Sequence, residues 1–274
     1  MRDSLHLSIP PKPSPSINDS FWMRIVTRLM VQICSKSWYR KLQGGGYGVI
    51  YVSRRLCIRC DYRTQLCEAN AMKFIAEQTK GAIPVPKIYC SFERKGRVYI
   101  LMERLPGETV QASGPRWSHR SIESQAHILG QLRKMVEIMR AIPPPSDFAV
   151  GNVDGGQLYD GNLPERRYMG PYKSIQDFHL DLRSGMTEIT DEHSDACPGL
   201  RQLIEMHNGD WGPPVSGIID WETAAWMPQY WEFTNAWHVN PYNEFWREEV
   251  PKFITPDVQG LEMEKIRRQY FKQF

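Results

Sequence analysis

One acidic residue of the chain stands where a metal ion could be held. In the run from Gly217 to Glu222, small and apolar residues lead directly into Asp220, which is typical of a buried strand that ends at a carboxylate. Carboxylate oxygens are the ligands that magnesium prefers, so Asp220 is the candidate metal ligand. A carboxylate that only accepts backbone hydrogen bonds at a strand end would give the same pattern, and both interpretations stay open.

Three blocks of sequence resemble, in this order, one known family of phosphotransferases. The blocks are Ile83–Tyr89, Tyr99–Glu108 and Ile218–Glu222. They look like the aminoglycoside-phosphotransferase-like family of fungal type, and the stretch from Trp237 to Glu249 is similar to fungal members as well. The resemblance implies an α+β, two-lobe protein-kinase-like fold, with a small antiparallel-sheet N-lobe and a mostly helical C-lobe.

The resemblance begins near Arg54 and implies a division of the chain into three parts. These are a proline-rich leader at 1–20, an N-lobe with its hinge at 21–105 and a helical C-lobe at 106–274. The prolines and serines between Ile9 and Ser16 predict an extended or disordered leader. The glycines from Gly44 to Gly48 predict a turn that feeds a strand, either as a phosphate-covering hairpin or as a plain hairpin turn.

The resemblance also assigns residues to a nucleotide. In the family, a strand lysine contacts the nucleotide phosphates and pairs with a glutamate on the next helix, and these positions match Arg59 and Glu68. Arginine keeps the positive charge but distributes its donors differently from an ammonium group. An ion pair that merely joins strand to helix is the alternative role. The hinge backbone at Met102–Leu105, which includes Glu103 and Leu105, would recognise the adenine edge.

The family's catalytic loop is absent from this sequence. That loop is His-Gly-Asp followed after four residues by Asn; its Asp orients the acceptor hydroxyl and its Asn helps to hold magnesium. Here Val215 leads almost directly into the strand that carries Asp220, so roughly fifteen to twenty residues of the family pattern are missing. The run from His207 to Asp210 fails on spacing and predicts a helix end instead. Asp220 itself would bridge Mg²⁺ to the phosphates of ATP.

Helical periodicity predicts two helices of the C-lobe. The first runs from Ser121 to Ala141 and ends before Pro143. Its core face would be formed by Ile122, Ala126, Leu129, Leu132, Met135, Val136, Ile138 and Met139. The second runs from Ser174 to Gly185, and its His179 is expected to pack in the core rather than act as a base.

Two other features of the C-lobe could touch a small molecule. Asp154 and Asp160 lie in a turn-rich loop, either as turn formers or as acids that face a substrate. Aromatic residues crowd the region after Asp220, where they would form the core or line an apolar cleft for a hydrophobic ligand. A small-molecule ligand or acceptor is therefore the expected partner.

The composition limits the other partners. The 274 residues are 41% hydrophobic with a formal net charge of +3, so we expect no nucleic acid and no membrane partner. The apolar segment from Phe21 to Cys34 is interrupted by Arg24 and Arg28, which predicts an amphipathic helix rather than a bilayer span. The start of the chain lacks the features of a signal peptide, so the cytoplasm is the expected compartment.

The six cysteines do not form a recognisable metal-binding pattern. Cys57 and Cys60 have the two-residue spacing of a zinc knuckle, but no second pair follows at a suitable distance. On a strand the two side chains would point to opposite faces. Free and mostly buried thiols are the expected state.

Three interpretations of the function follow. The chain could be an ATP-dependent small-molecule phosphotransferase that is impaired or inactive because its catalytic loop is absent. It could be a pseudoenzyme or a repurposed kinase-like scaffold that binds a metabolite or protein, or that catalyses another reaction. It could also be an incomplete product, if coding sequence between Val215 and Ser216 was treated as an intron. The sequence does not determine the oligomeric state.

Overall fold

The computed structural model describes residues 10–39, 48–107, 117–164, 168–189, 198–217, 223–238 and 244–271. The chain divides into two compact units. The sheet unit comprises Ser14–Ile128, and the helical unit comprises Met1–Pro13 with Leu129–Phe274. The lobe boundaries expected from the sequence stay a prediction.

The sheet unit is built on four antiparallel strands. They are β1 (Val49–Tyr51), β2 (Leu56–Asp61), β3 (Ile88–Arg94) and β4 (Arg97–Glu103), in the spatial order β1-β2-β4-β3. Strand β2 is therefore central, and its Arg59 lies opposite Val49 on one side and Ile100 on the other. Of the expected glycine turn before β1, residues 43–47 lie outside the described residues. Gly48 has a φ of +72°, a conformation that favours glycine.

Two helices pack against the sheet, one on each face. Helix α1 (Phe21–Cys34) begins at Ser20, whose hydroxyl accepts a hydrogen bond from the Met23 amide, and this capping fixes the first turn. Its apolar side contacts a core cluster that includes Ile58, Phe92 and Leu101. Helix α2 (Leu66–Gln78) packs on the opposite face against Val98 and Ile100. The alternation of strand residues between the two faces produces this three-layer arrangement.

Several residues of the leader between Lys12 and Ile17 form hydrogen bonds with other segments. Ile17 forms an antiparallel bridge with Ser91 of β3, with amide-to-carbonyl distances of 3.0 and 2.8 Å. The Pro15 carbonyl accepts a hydrogen bond from the Asn70 side chain. Within the helical unit, Lys12 forms an ion pair of 2.6 Å with Asp147. The expectation of an extended or disordered leader stays a prediction.

The helical unit contains most of the remaining helices and a small second sheet. Its helices are α3 (Ile122–Arg140, which contributes residues to both units), α4 (Ile175–Leu182), α5 (Pro198–His207), α6 (Gln229–Trp237), α7 (Trp246–Glu249) and α8 (Val258–Tyr270). The strands β5 (Gly151–Asn152), β6 (Val215–Gly217) and β7 (Ala225–Met227) pair antiparallel in the order β5-β7-β6. An apolar cluster around Phe178, Leu203, Tyr230 and Met263 forms the core of this unit. Within the described ranges, no helix has both the length and the apolar character needed to cross a membrane.

The expected core face of α3 is wrong at its N-terminal half. Ile122 is 80% exposed and Ala126 is also exposed, whereas Leu129, Val136 and Met139 are buried. Helical periodicity shows which residues share a face, but it does not show how far along the helix another element covers that face.

The run from His207 to Asp210 ends helix α5, as the sequence predicts. The last helical residue is His207, and the amides of Asn208 and Gly209 still donate to carbonyls of the last turn. The Asp210 carboxylate then accepts a hydrogen bond from the Gly212 amide, and Gly212 has a φ of +66°. These four residues are a helix terminus and a turn rather than a displaced catalytic loop.

Candidate functional site

The structure brings Arg59 of the inner strand β2 together with Glu68 of helix α2. Arg59 projects from β2 toward α2, and its Nε lies 2.9 Å from Oε2 of Glu68 in the first turn of that helix. The Glu68 side chain is fully buried, whereas the Arg59 side chain is 25% exposed. The ion pair that the sequence suggested is therefore present, with its cationic end at the surface. Its role toward a nucleotide stays a prediction.

Glu68 also organises the start of helix α2. Its Oε1 accepts a hydrogen bond from the Gln65 amide at 3.0 Å, which completes a capping box. The Nε of Arg59 donates in addition to the Thr64 hydroxyl at 3.3 Å. Strand, connecting turn and helix are thus fixed to one another: two contacts hold the guanidinium of Arg59, and a third holds the carboxylate of Glu68.

The two hinge residues that the sequence singled out end the fourth strand. Glu103 is the last residue of β4, and its amide donates to the Lys87 carbonyl at 2.9 Å. Its carboxylate accepts from the Lys87 amide at 3.3 Å. Leu105 follows with its side chain 42% exposed. The Glu103 amide already donates to Lys87 and is not free to donate to an adenine edge; the role of Glu103 and Leu105 toward a nucleotide stays a prediction.

Asp220 lies outside the described residues, within 218–222. The expected strand from Gly217 to Asp220 therefore has only its first residue in the described part. The structure places Gly217 at the end of β6, where it pairs with Ala225, and Val215 pairs with Met227. Val215 and Ser216, between which the sequence comparison expects the catalytic loop of the family, are consecutive residues of this strand.

A small pocket in the helical unit is lined by buried acidic and apolar side chains. Its lining residues are Asp160, Val215, Thr223, Met227, Pro228, Trp231 and Glu232. Asp160 is 5% exposed; its Oδ2 accepts hydrogen bonds from Trp231 Nε1 at 2.9 Å and from Asn235 Nδ2 at 3.1 Å. Its Oδ1 accepts from the Asn162 amide at 2.8 Å. Asp160 is therefore a turn former and also a buried anchor for helix α6.

The second carboxylate of this pocket is held by a cation. Oε2 of Glu232 lies 3.3 Å from Nε of Arg140, and the Glu232 side chain is 7% exposed. The carboxylate oxygens of Asp160 accept hydrogen bonds from neutral donors, and Arg267 and Arg268 are close enough to interact electrostatically with its negative charge. Both carboxylates of this pocket therefore have cations near them.

His179 is buried in the core, as the sequence predicts. The His207 carbonyl can only accept, so Nδ1 of His179 donates to it and Nε2 accepts from the Tyr230 hydroxyl, both at 2.8 Å. Burial lowers the pKa of His179 to about 4. A neutral ring with both nitrogens occupied and no exposed surface is a structural residue and not a base for an external ligand.

Comparison with solved structures identifies the architecture. A thermostable mutant of the aminoglycoside phosphotransferase APH(4)-Ia, in a ternary complex with AMP-PNP and hygromycin B, aligns with 82% of this chain and 81% of its own, at 15% identity and a TM-score of 0.51. The fold is protein-kinase-like. A second mutant of the same enzyme, with ADP and hygromycin B, covers 88% of each chain at 14% identity and a TM-score of 0.50. Identities this low establish the fold alone.

The kinase-like fold agrees with the α+β architecture expected from the sequence. No protein-family profile matches the sequence, and no curated protein matches it. The resemblance to the family indicated Arg59 and Glu68, which lie nine positions apart on consecutive elements. It did not indicate the contact between Asp160 and Trp231, since 71 positions separate them and no local pattern links them.

Proposed function

We propose that this chain is a kinase-like protein that binds a nucleotide and a small-molecule ligand and transfers phosphoryl groups slowly or not at all. The observation that carries the proposal is the ion pair of Arg59 and Glu68, with a buried carboxylate and a partly exposed guanidinium. In a kinase-like fold this pair corresponds to the lysine and glutamate that must be in place for phosphate binding.

The residues at this position fit a phosphate group. A guanidinium presents several donors in a plane and binds phosphate in a bidentate manner, and the contact with Glu68 holds the Arg59 side chain in one orientation. A bound ATP would supply the phosphate that a kinase transfers. Mg²⁺ is expected with it, and its candidate ligand Asp220 lies outside the described residues. Among the described residues, no group of three or more acidic, histidine or cysteine side chains could hold a metal ion.

The sequence supports impaired transfer. It lacks the His-Gly-Asp and Asn pattern that supplies the residue orienting the acceptor hydroxyl. Removal of a general base typically lowers a rate by about 100-fold to 10,000-fold. We therefore expect turnover well below about 1 per second, the lower end for kinases. A continuous β6 across the position of the missing loop supports the related interpretation of a scaffold that binds ligands without catalysis.

The pocket around Asp160 and Glu232 is not proposed as the small-molecule site, because it has room for only about one water molecule. The small-molecule ligand or acceptor expected from the sequence remains part of the proposal. The expectation of cytoplasmic location and of fungal type remains part of the proposal.

A thermal melt with and without saturating MgATP tests nucleotide binding. A ligand that binds only the folded state at a hundredfold excess over its Kd stabilises it by about 2.7 kcal/mol, which raises Tm by about 5–10 °C for a chain of this size. Arg59→Met should abolish most of this shift. The matched control Arg54→Met, at an exposed position of the same unit, should keep it.

The same experiment distinguishes a nucleotide-binding protein with impaired chemistry from a scaffold that binds no nucleotide. A magnesium-dependent shift without measurable ATP hydrolysis or transfer supports a nucleotide-binding protein with impaired chemistry. The absence of any shift would reject nucleotide binding and leave the scaffold. Turnover above about 1 per second would reject the impairment.

A further inference from the structure

The charges of the chain are strongly segregated between the two units. The sheet unit, Ser14–Ile128, carries 18 Lys and Arg residues against 8 Asp and Glu, a net charge of +10. The rest of the chain carries 16 against 23, a net charge of −7. The overall value of +3 is an average that conceals a basic unit. A basic unit of this kind attracts anionic surfaces.

Helix α1 presents an exposed apolar stripe on this basic unit. Its four members are Trp22, Val26, Leu29 and Ile33, which are 72, 40, 50 and 50% exposed. Their spacing of four, three and four residues places them on one side of the helix. The opposite side, with Met23, Thr27, Met30 and Val31, packs onto the sheet or is buried. The helix is therefore apolar on two sides, and only one of them is covered by the described residues.

Exposed aromatic residues also lie at both ends of helix α1, and the ring of Phe21 contacts that of Trp22. Phe21, at the first turn of α1, is 70% exposed, and Trp38, which follows the helix, is 61% exposed. Isolated exposed apolar residues are common on proteins, but a contiguous set of large ones marks an interaction surface. Tryptophan and phenylalanine on the apolar side of a surface helix are typical of helices that lie in the membrane interface.

The charge next to the stripe is almost entirely basic. Between Ser14 and Cys60 the sequence has eight Lys and Arg residues and one acidic residue, Asp19. Both Asp19 oxygens accept hydrogen bonds from Arg24, so this acid is already neutralised. Arg28 is partly exposed and Lys36 is exposed. The stripe is thus bordered by positive charge that the one nearby acid does not balance.

We propose that helix α1 is an interfacial helix that docks the sheet unit on an anionic lipid bilayer. The apolar stripe would enter the region between head groups and acyl chains, and the basic residues would contact the anionic head groups. A second copy of this chain is a less suitable occupant, because pairing two α1 stripes would bring two units of net charge +10 together. The expectation of no membrane partner rested on the average charge, and the segregation of charge removes that basis.

Sedimentation of the full chain with lipid vesicles tests this proposal. Vesicles of phosphatidylcholine alone are compared with vesicles that also contain phosphatidylserine. We expect at least about tenfold more bound protein on the anionic vesicles, and a loss of this difference in high salt, because salt screens the attraction between basic residues and lipids. Equal binding to both vesicle types, or binding to neither, would overturn the proposal.

Two sets of variants separate the contributions of the stripe and the charge. Val26→Ser with Leu29→Ser should lower vesicle binding by about tenfold or more, since both side chains would lose burial in the bilayer. Arg28→Gln with Lys36→Gln should lower it on anionic vesicles only. The control Ile122→Ser changes a residue that is 80% exposed on α3 of the same unit and should bind like the parent chain.

Two further measurements examine the folding of the variants and the self-association of the parent chain. All four substituted positions of α1 and its C-terminal flank are exposed or partly exposed, so the variants should melt within about 1–2 °C of the parent chain. Light scattering of the parent chain determines its molar mass in solution. A dimer that the Val26 and Leu29 substitutions convert to monomer, with no vesicle binding, would assign the stripe to self-association and would reject the membrane proposal.

Discussion

The imidazole rings of His179 and His207 stack inside the helical unit, with centroids 4.3 Å apart and planes inclined by 15°. Both side chains are fully buried. Arg183 and Arg267 face the pair as cations, and Glu264 is the nearby anion. Burial lowers the pKa of His179 to about 4, and burial together with the charges of its neighbours holds the pKa of His207 far below its usual range.

This arrangement predicts a loss of stability in acid. Both rings are neutral in the folded state, whereas in the unfolded chain each would take up a proton below about pH 6.5. The free energy of unfolding should therefore be at its full value above about pH 6.5 and fall as the pH is lowered, by about 1.4 kcal/mol per histidine for each pH unit down toward pH 4. Urea unfolding at several pH values measures this slope.

A substitution tests whether His207 is responsible. His207→Phe keeps an aromatic ring in the stack and removes a titrating group, so the slope should be roughly halved. His127→Gln changes an exposed histidine of α3 and should leave the slope unchanged. A His207→Phe variant with the slope of the parent chain would contradict the assignment.

The ion pair of Arg59 and Glu68 predicts strong energetic coupling between the two positions. Glu68→Gln keeps an acceptor for the helix cap but leaves Arg59 without its buried anion, and removal of one partner of a buried pair typically costs about 3–5 kcal/mol. The double substitution Arg59→Met with Glu68→Met should cost much less than the sum of the single ones. Urea unfolding of the four chains gives the coupling energy.

An exposed ion pair on the same helix provides the control. Lys73 and Glu77 of α2 lie 3.9 Å apart and are each more than half exposed. Lys73→Met should change the free energy of unfolding by less than about 0.5 kcal/mol. Similar costs for the buried and the exposed pair would show that burial does not set the strength of the Arg59 contact.

Asp160 predicts a position that is sensitive to stability. Asp160→Asn would turn an amide toward donors from Trp231 and Asn235, and loss of hydrogen bonds to a buried charged acceptor costs about 1.5–3 kcal/mol. Urea unfolding measures this cost. Glu205→Gln, at an exposed position of α5, should leave the free energy of unfolding unchanged.

Replacement of glycine by alanine should have opposite effects on stability at Gly260 and Gly130. A Cβ atom at Gly260 of α8 would lie 2.3 Å from the Cβ of Tyr230, so Gly260→Ala should destabilise the chain by about 1–3 kcal/mol or more. A Cβ at Gly130, within α3, meets nothing within 4 Å, and Gly130→Ala should stabilise the helix by about 1 kcal/mol. Thermal melts of both variants check the pair. Equal signs would contradict the close packing of α8 on α6.

Local patterns in the sequence predicted the elements better than the contacts between them. The helix from Phe21 to Cys34 and the end of α5 at His207 depend on periodicity and on capping residues, which act within one or two turns. The pairing of Arg59 with Glu68 was accessible because strand and helix are consecutive. The two carboxylates of the pocket come from distant segments, and only the tertiary fold brings Asp160 and Glu232 together.

Which apolar face of a helix is buried was the property that the sequence predicted least well. Ile122 and Leu29 both lie in apolar helical patterns, but both are exposed, because periodicity does not identify what covers a helix. The difference in net charge between the two units also depends on where the boundary between them falls. The net charge of the whole chain conceals this difference. Both properties follow from the packing of distant segments, which local sequence does not encode.

The bridge between Ile17 and Ser91 has a consequence for handling the protein. Strand β3 lies at one end of the four-stranded sheet, and the outer edge of such a strand can recruit a strand from another molecule. The leader occupies part of that edge, so proteolysis or a truncation that removes residues 10–17 would open a template for intermolecular pairing. A shortened preparation should therefore aggregate more readily than the intact chain. Because Ile17 is also buried against Ala69, Val98 and Ile100, its removal would weaken this part of the core as well.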